Sequence, residues 1–321
     1  MKTTHRMLAI DVTGRGAGTT RRQGVVPTPM MLACFGLVAS ISGQAIAQVP
    51  AEGLIGYWKG DHNALDSSPV GNHGTFGGSY VDGGPFGHAS FNLSNTQVRI
   101  PHHPAYAFQQ STGWTVGIWF NNNGMPVNPG TEVFLGQDNG SGYRPKWFID
   151  YGYSVYHPTN SFLLHLNDYN QERIFLESDP VVPFPTGWNQ LTVVIDNGAG
   201  VVSFYLNASP IGTAGLSNYV LQTQAQLVFG FAESGLGYYG LLNNVTIYNR
   251  ALSAQEVSRL VNPCFVDFNG DGTVDFFDYD SFVQCFDGGT CLPGANADFD
   301  GDGVVDFFDY DAFVVAFEGG C

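Results

Sequence analysis

Between Ala51 and Val261 short apolar and aromatic runs alternate with Gly, Pro, Asn and Asp. TVGIWF (115–120), KWFIDYGY (146–153), SFLLHL (161–166), QLTVVID (190–196), VVSFYLN (201–207), QLVFGF (226–231) and NVTIYN (244–249) have the length and the β-branched, aromatic content of strands. Punctuated by turn residues, they predict an antiparallel β-sandwich. Asn197-Gly198, between two of these runs, marks a tight hairpin. One helix stands out in this region: Ser253-Ala254-Gln255-Glu256 is a capping box that opens SAQEVSRLV. Beyond Pro263 the period lengthens. Tyr279, Phe282, Val283 and Phe286 recur as Tyr310, Phe313, Val314 and Phe317, an apolar stripe at helical spacing, and Gly288-Gly289 and Gly319-Gly320 end the two helices. The pattern therefore predicts a mainly β chain with a small α module at its end.

A length of 321 residues suits two folded domains. Residues 1–47 read as a signal peptide: Lys2, Arg6, Arg15, Arg21 and Arg22 precede the apolar run MMLACFGLVASI, and Ala45-Ile46-Ala47 supplies the small residues of a cleavage site. That run is shorter than the roughly 20 residues that span a bilayer, so the mature chain is expected not to cross a membrane and to be secreted or held at the cell surface. The remaining divisions are 51–262 for the sandwich and 263–321 for the terminal module.

Without the five leader bases and Asp11, 7 Lys and Arg face 27 Asp and Glu, a net charge of −20. A chain this acidic offers no basic face for phosphates, which argues against nucleic acid as a partner. Residues 263–321 hold 13 acids and no Lys or Arg. Such a segment repels itself unless cations neutralise it. It also holds four of the five cysteines, Cys264, Cys285, Cys291 and Cys321, while Cys34 belongs to the leader. An even number in a small exported module reads as two disulfides. Of the three pairings, Cys285 with Cys291 and Cys264 with Cys321 is preferred. A zinc site lacks both CxxC and a histidine within the module.

The module's acids have a repeat. DFNGDGTVDFFDYDSF (267–282) returns 31 residues later as DFDGDGVVDFFDYDAF (298–313). Oxygen-bearing side chains fall at loop positions 1, 3, 5, 9 and 12 with Gly at 6, as a calcium loop requires. They are Asp267, Asn269, Asp271, Asp275 and Asp278 around Gly272, then Asp298, Asp300, Asp302, Asp306 and Asp309 around Gly303. Position 7 ligates through its backbone carbonyl, so Thr273 and Val304 serve equally. Two calcium ions are expected. Position 12 is Asp where an EF-hand has Glu, and no entering helix precedes either loop, so each unit is a loop plus one exit helix.

This arrangement resembles the dockerin type I repeat over residues 264–321. The resemblance implies docking of an extracellular protein onto a cohesin-like partner. Where such modules commonly carry Ser or Thr at loop positions 10 and 11, this chain has Phe276-Phe277 and Phe307-Phe308; Val283-Gln284 and Val314-Val315 fill the later recognition positions. The four phenylalanines are read as module core, with an apolar docking patch as the alternative.

GLIGYWKGD (53–61), NALDSSPVGNHGT (63–75), FGHASFNLSNTQVRIP (86–101), GWTVGIWF (113–120), GWNQLTVVID (187–196), SFYLNASPIGT (203–213) and LLNNVTIYNRALSAQEV (241–257) resemble, in order, the laminin G-like, concanavalin A-like jelly-roll family. That resemblance implies two stacked antiparallel sheets and binding, often to carbohydrate. It also implies a third calcium, held by Asp61, Asn72 and Asn243. The alternative is that Asp61 and Asp66 cap turns.

Catalysis has little support in the sequence. The retaining glycosidases of this fold carry an ExDxxE-like run, and here Glu177 and Asp179 are followed by Pro180-Val181-Val182. GxSxG and HExxH are absent, and His102-His103 point to opposite faces of any strand. For binding, Tyr143, Trp147, Tyr151, Tyr153, Tyr156, Tyr238 and Tyr239 are candidate sugar-stacking rings, with Asp138, Asn139 and Asp150 to sort hydroxyls. Strand alternation makes core the competing role for Trp147, Tyr151 and Tyr153. The resulting expectation is an exported, non-catalytic protein that binds a glycan or another surface ligand and docks through a calcium-ordered tail. The alternatives are a divergent polysaccharide-degrading enzyme of concanavalin A-like fold and a structural envelope protein.

Overall fold

Alternating apolar residues give each strand one face to bury, and two such sheets satisfy one another by stacking. In the computed structural model they do so. It describes residues 49–321 except 95, 107, 109–111, 124–130, 139–144, 155–156, 169–172, 222, 233–235, 263, 265, 270–272, 292–296, 300–303 and 320–321. The leader expected at 1–47 lies outside the described residues. Residues 49–321 belong to one compact unit.

The strands are β1 (Leu54–Trp58), β2 (Thr75–Phe76), β3 (Tyr80–Val81), β4 (Ser90–Asn92), β5 (Val98–Ile100), β6 (Gly113–Asn121), β7 (Thr131–Gln137), β8 (Lys146–Ser154), β9 (His157–Asn167), β10 (Arg173–Glu177), β11 (Asn189–Asp196), β12 (Val201–Leu206), β13 (Ser209–Gly215), β14 (Leu227–Phe229), β15 (Phe231–Ala232), β16 (Leu236–Gly237) and β17 (Leu241–Tyr248). One sheet runs β13-β12-β11-β6-β17-β4-β3, with β1 also on β17; the other runs β10-β9-β8-β7-β14-β5-β2. The named pairings are antiparallel, giving the expected jelly-roll sandwich. Asp196 pairs with Val201, so the hairpin at Asn197-Gly198 closes over four residues.

Strand β17 changes partner along its length. Leu241 and Leu242 face β4, whereas Val245 to Tyr248 face β1, and the register shifts between Asn243 and Thr246. Asn244 takes a left-handed φ of 44° there, a conformation that asparagine tolerates better than most side chains. The inner faces of both sheets form one core. Trp114 stacks on Phe108 at 4.3 Å and meets Trp147 edge-on at 5.0 Å, while Trp58 meets Phe229 at 5.4 Å. Each ring buried this way is worth about 1.5–3 kcal/mol.

Helix α1 (Ala254–Val261) carries the expected capping box: Ser253 Oγ accepts from Glu256 N and the Glu256 carboxylate accepts from Ser253 N. Its buried Val257 and Leu260 cluster with Val194, Tyr248 and Leu252 on the outside of the first sheet. Trp119 Nε1 donates to Leu260 O at 3.1 Å, fixing the helix end.

The tail has its own core, built on α2 (Phe276–Phe286) and α3 (Phe307–Gly319). Phe282 and Phe313 stack at 3.9 Å with planes 3° apart, and the hydroxyls of Tyr279 and Tyr310 bond at 2.6 Å. Tyr279 also reaches Phe317, and Phe286 reaches Tyr310, so the helices run antiparallel. The expected Cys285–Cys291 disulfide is present. Cys264 is also disulfide-bonded, and Cys321 lies outside the described residues. Phe276, Phe277, Phe307 and Phe308 do not form the core: they are 65–69% exposed. A helix has one face toward its partner, and Tyr279, Phe282 and Phe286 already occupy it.

Candidate functional site

α1 covers one outer sheet face, and a row of mixed polar and aromatic residues crosses the outer face of the other sheet. The register places Thr75, Arg99, Val228, Gly136, Phe148, His165 and Phe175 directly opposite one another in turn, from β2 to β10. Residues opposite one another in a ladder share a face, so these seven form one strip across the whole sheet. Six strand spacings make it about 29 Å long. At its β10 end the imidazole of His165 lies between two rings, 4.3 Å from Phe148 and 4.4 Å from Phe175. His165 Nε2 is 2.9 Å from Asn167 Oδ1. In the middle Gly136 must stay a glycine, because an added Cβ would lie 2.3 Å from Trp147 O and 2.4 Å from Phe148 Cβ. At the β2 end, Thr75, Phe76, Gly77, Thr96, Gln97 and Arg99 line an open hollow of about 510 Å³, a volume that suits a small ligand.

A second row of the same face holds Val133, Asp150, Leu163 and Glu177. Burial pushes the Asp150 carboxyl well above the usual carboxylate range, and the nearby charge of Glu177 pushes the same way. Glu177 Oε2 accepts from Ser161 Oγ at 3.3 Å. The β8 run thus divides its residues by parity, with Trp147, Ile149 and Tyr151 inward and Phe148 and Asp150 outward.

That division corrects the expected ligand rings. Trp147, Tyr151 and Tyr238 are buried in the core. Their polar atoms serve the interior: Trp147 Nε1 donates to Gln137 Oε1 at 2.9 Å, and the Tyr151 hydroxyl donates to Val181 O at 2.7 Å. Tyr239 stays exposed at 38%. Tyr143, Tyr156 and Asn139 lie outside the described residues, as does the side chain of Tyr153. Asp138 faces the buried Lys146 ammonium at 3.8 Å.

Asp61, Asn72 and Asn243, the ligands expected for a third calcium, each make hydrogen bonds within the protein. Asp61 Oδ1 accepts from Ala89 N, Asn243 Nδ2 donates to Ala89 O, and Asn72 Nδ2 turns to Pro101 O and the Tyr106 hydroxyl. Asn243 Oδ1 accepts from Asn244 Nδ2, and Tyr57 donates to Asn244 Oδ1. These amides hold the corner where β17 changes partner. Asp66 is the turn cap of this region. Its Oδ1 accepts from Tyr57 N and Ser68 N, and its Oδ2 from Ser68 Oγ and Asn72 N.

In the tail, loop positions 9 and 12 act as a pair at the head of each helix. Asp275 Oδ1 accepts from Phe277 N, while Asp278 Oδ1 and Oδ2 accept from Asn269 N and Asp275 N at 2.9 and 2.8 Å. Asp306 and Asp309 repeat the arrangement through Phe308 N and Asp306 N. Asp278 and Asp309 are fully buried, closing the loops with carboxylate. Asp271, Asp300 and Asp302 lie outside the described residues, and among the described residues no three His, Cys, Asp or Glu side chains meet to hold a metal. The described loop positions, Asp267, Asn269, Asp275 and Asp278, then Asp298, Asp306 and Asp309, carry oxygen donors, the type that calcium takes.

Residues 92–258 match the profile of the concanavalin A-like lectin/glucanases superfamily. The chain belongs to this superfamily. No curated protein sequence matches it significantly. Among solved structures, this chain is similar to domain 4 of an extracellular arabinanase from Geobacillus stearothermophilus, in complex with arabinotriose, at 19% identity and TM-score 0.50, covering 65% of this chain and 98% of that one. It is also similar to botulinum neurotoxin type C, whose cell entry depends on two ganglioside molecules, at 13% identity and TM-score 0.52, over 66% and 51% of the two chains. The binding domain of botulinum neurotoxin DC, in complex with SialylT, gives 13% identity and TM-score 0.51 over 66% and 52%. The chain thus spans about half the length of these neurotoxin structures. Identities this low carry the fold alone. Among the described residues, no helix of this superfamily member is long and apolar enough to cross a membrane.

Proposed function

We propose that this chain is an exported, non-catalytic binding protein whose sandwich holds a glycan along the outer strip of the seven-stranded sheet and whose calcium-ordered tail docks it to an extracellular or cell-surface partner. The observation that carries the first half is the strip itself: one cross-strand row spans the sheet, with the half-buried rings of His165 and Phe175 beside the buried Phe148 at one end and Arg99 above an open hollow at the other. Ring faces stack on sugars, and the interspersed Thr75, Arg99, Glu177 and His165 can sort hydroxyls. The complexes of the arabinanase domain with arabinotriose and of the neurotoxin domain with SialylT support a sugar as the ligand class.

In the tail, Asp267, Asn269, Asp271, Asp275 and Asp278 with the Thr273 carbonyl would hold one calcium, and Asp298, Asp300, Asp302, Asp306 and Asp309 with the Val304 carbonyl the second. Calcium supplies the positive charge that the segment lacks. Phe276-Phe277 and Phe307-Phe308 then stand exposed at the heads of two fixed helices, an apolar docking surface for a cohesin-like partner or another envelope protein.

A glycan array probed with the full chain tests the first half. Phe175→Ala and His165→Ala should each weaken binding about tenfold or more while leaving the melting temperature within a few degrees. A blank array, or binding indifferent to both variants, would remove the strip from consideration. A second reading has one observation in its favour. Asp150 and Glu177 sit two strands apart on one face, a backbone separation of about 9–10 Å that borders on the carboxylate spacing of inverting glycosidases. Release of reducing sugar, abolished in Asp150→Asn, would establish that reading. Asp150 is only 4% exposed, which favours binding over chemistry.

A further inference from the structure

β2 is the outermost strand of its sheet and only two residues long, and beside it lies the open hollow of about 510 Å³. The wall of this hollow is unlike the rest of the chain. Beyond the leader 27 Asp and Glu outnumber 7 Lys and Arg, yet the six lining residues, Thr75, Phe76, Gly77, Thr96, Gln97 and Arg99, include no acid and a single charge, the Arg99 guanidinium. Strand alternation puts that charge outside: Arg99 is exposed between the buried Val98 and Ile100. Thr75 stands opposite it on the same face, and its hydroxyl donates to the Arg99 carbonyl at 3.4 Å. Arg99 Nη1 donates to Gln226 Oε1 at 3.5 Å, which draws the guanidinium along the face. Phe76 anchors the floor, its ring set edge-on to Tyr80 at 5.2 Å and Phe91 at 5.3 Å. At Gly77 an added Cβ would meet nothing within 4 Å, so the hollow is open there.

We infer that this hollow seats an acidic sugar residue, with its carboxylate on the Arg99 guanidinium and its hydroxyls on Thr75, Thr96 and Gln97. The inference rests on the glycan reading above and narrows it to an acid-bearing glycan. A guanidinium presents a planar fork of donors that matches a carboxylate, and such charge-assisted bonds are roughly twice as strong as neutral ones. Hydroxyl and amide side chains both donate and accept, as sugar hydroxyls do. The net charge of the chain opposes an anion at a distance, but exposed charges farther apart than about 8 Å are largely screened at physiological ionic strength. The sign of the wall therefore decides on contact, and here the wall is positive.

Calorimetric titration of the full chain with sialyllactose beside lactose, and with trigalacturonic acid beside galactotriose, tests this. In one pair or both, the acidic sugar should bind about tenfold or more tighter than its neutral partner, and sodium chloride should narrow the gap. Arg99→Gln keeps the size of the side chain and should close the gap, while Arg99→Lys, which keeps the charge without the fork, should restore part of it. Gly77→Glu has room for its side chain and sets a carboxylate in the hollow, so it should close the gap independently of any change at Arg99. Acidic and neutral sugars bound alike, or a preference that survives both Arg99→Gln and Gly77→Glu, would overturn the inference while leaving the glycan reading intact. Sulfated lactose bound tighter than either carboxylate sugar would overturn the choice of carboxylate. No binding of any of these sugars, together with a blank glycan array, would overturn the glycan reading and this inference with it.

Discussion

Asp150 is a carboxyl group in a place that disfavours its charge, and the consequence can be read in a pH series. Burial, with Glu177 adding to it, raises its folded pKa well above the unfolded value of about 3.9. Between those two values the folded chain holds a proton that the unfolded chain has released. The resulting stability is fully present below pH of about 3.9 and is lost as pH rises through the folded pKa. Asp150→Asn keeps the shape and removes the titration. Chemical denaturation at pH 4 and pH 7 should therefore show the parent chain losing more stability than the variant over that interval; equal losses would mean the carboxyl is solvated. The tail offers a test that does not depend on pH. Phe282 and Phe313 are both fully buried and stacked at 3.9 Å, and deletion of a large core ring costs about 3–5 kcal/mol. In a module this small, Phe282→Ala should abolish the helical signal of the tail at room temperature while the sandwich persists, measured by far-UV circular dichroism.

At the scale of elements, the strip depends on β7 and β8 approaching closely at Gly136. An alanine there would push its Cβ to within 2.6 Å of the Phe148 Cα as well as against Trp147 O, and backbone atoms cannot swing aside. Gly136→Ala should cost about 1–3 kcal/mol or more, seen as an earlier unfolding midpoint, and should weaken glycan binding by parting the row that runs through it. The strands that carry most of the fold were legible because their apolar runs are long: QLTVVID appears as Asn189–Asp196, TVGIWF lies within Gly113–Asn121, and SAQEVSRLV forms the capped helix at Ala254–Val261. Edge elements were not. Ser209–Gly215 reads SPIGTAG, with Pro and Gly where a strand signal would be, and pairs only because β12 offers it a ladder. The strip was missed for a related reason. Aromatic residues in KWFIDYGY announce a strand, but only the register across β7, β8, β9 and β10 decides that Phe148 and Asp150 face out while Trp147 and Tyr151 face in. The four tail phenylalanines were misread as core by composition, since an exposed ring pair at a helix head carries the same letters as a buried one.

For the whole molecule, the separate cores predict separable stability. The sandwich cluster and the tail cluster share no residue. The tail holds 13 acids and no Lys or Arg, so its compact form concentrates negative charge, which bound cations would neutralise on the proposed calcium reading. At a free calcium concentration of about 100 times the dissociation constant, each site stabilises the folded form by about 2.7 kcal/mol. Two sites would make most of the stability of a module this size, and the Cys285–Cys291 bond limits the unfolded chain without replacing them. Stripping metal from the full chain should therefore remove the helical contribution from the far-UV spectrum and leave the β signal in place, and the lower urea midpoint of the pair should climb with the logarithm of added calcium. Magnesium at equal concentration should do much less, because it takes near-ideal octahedral sites and sheds water reluctantly. A helical signal and a lower midpoint that both ignore chelator and calcium would show that the aromatic stack alone folds the tail, and the acids would then have to be explained by something other than an ion.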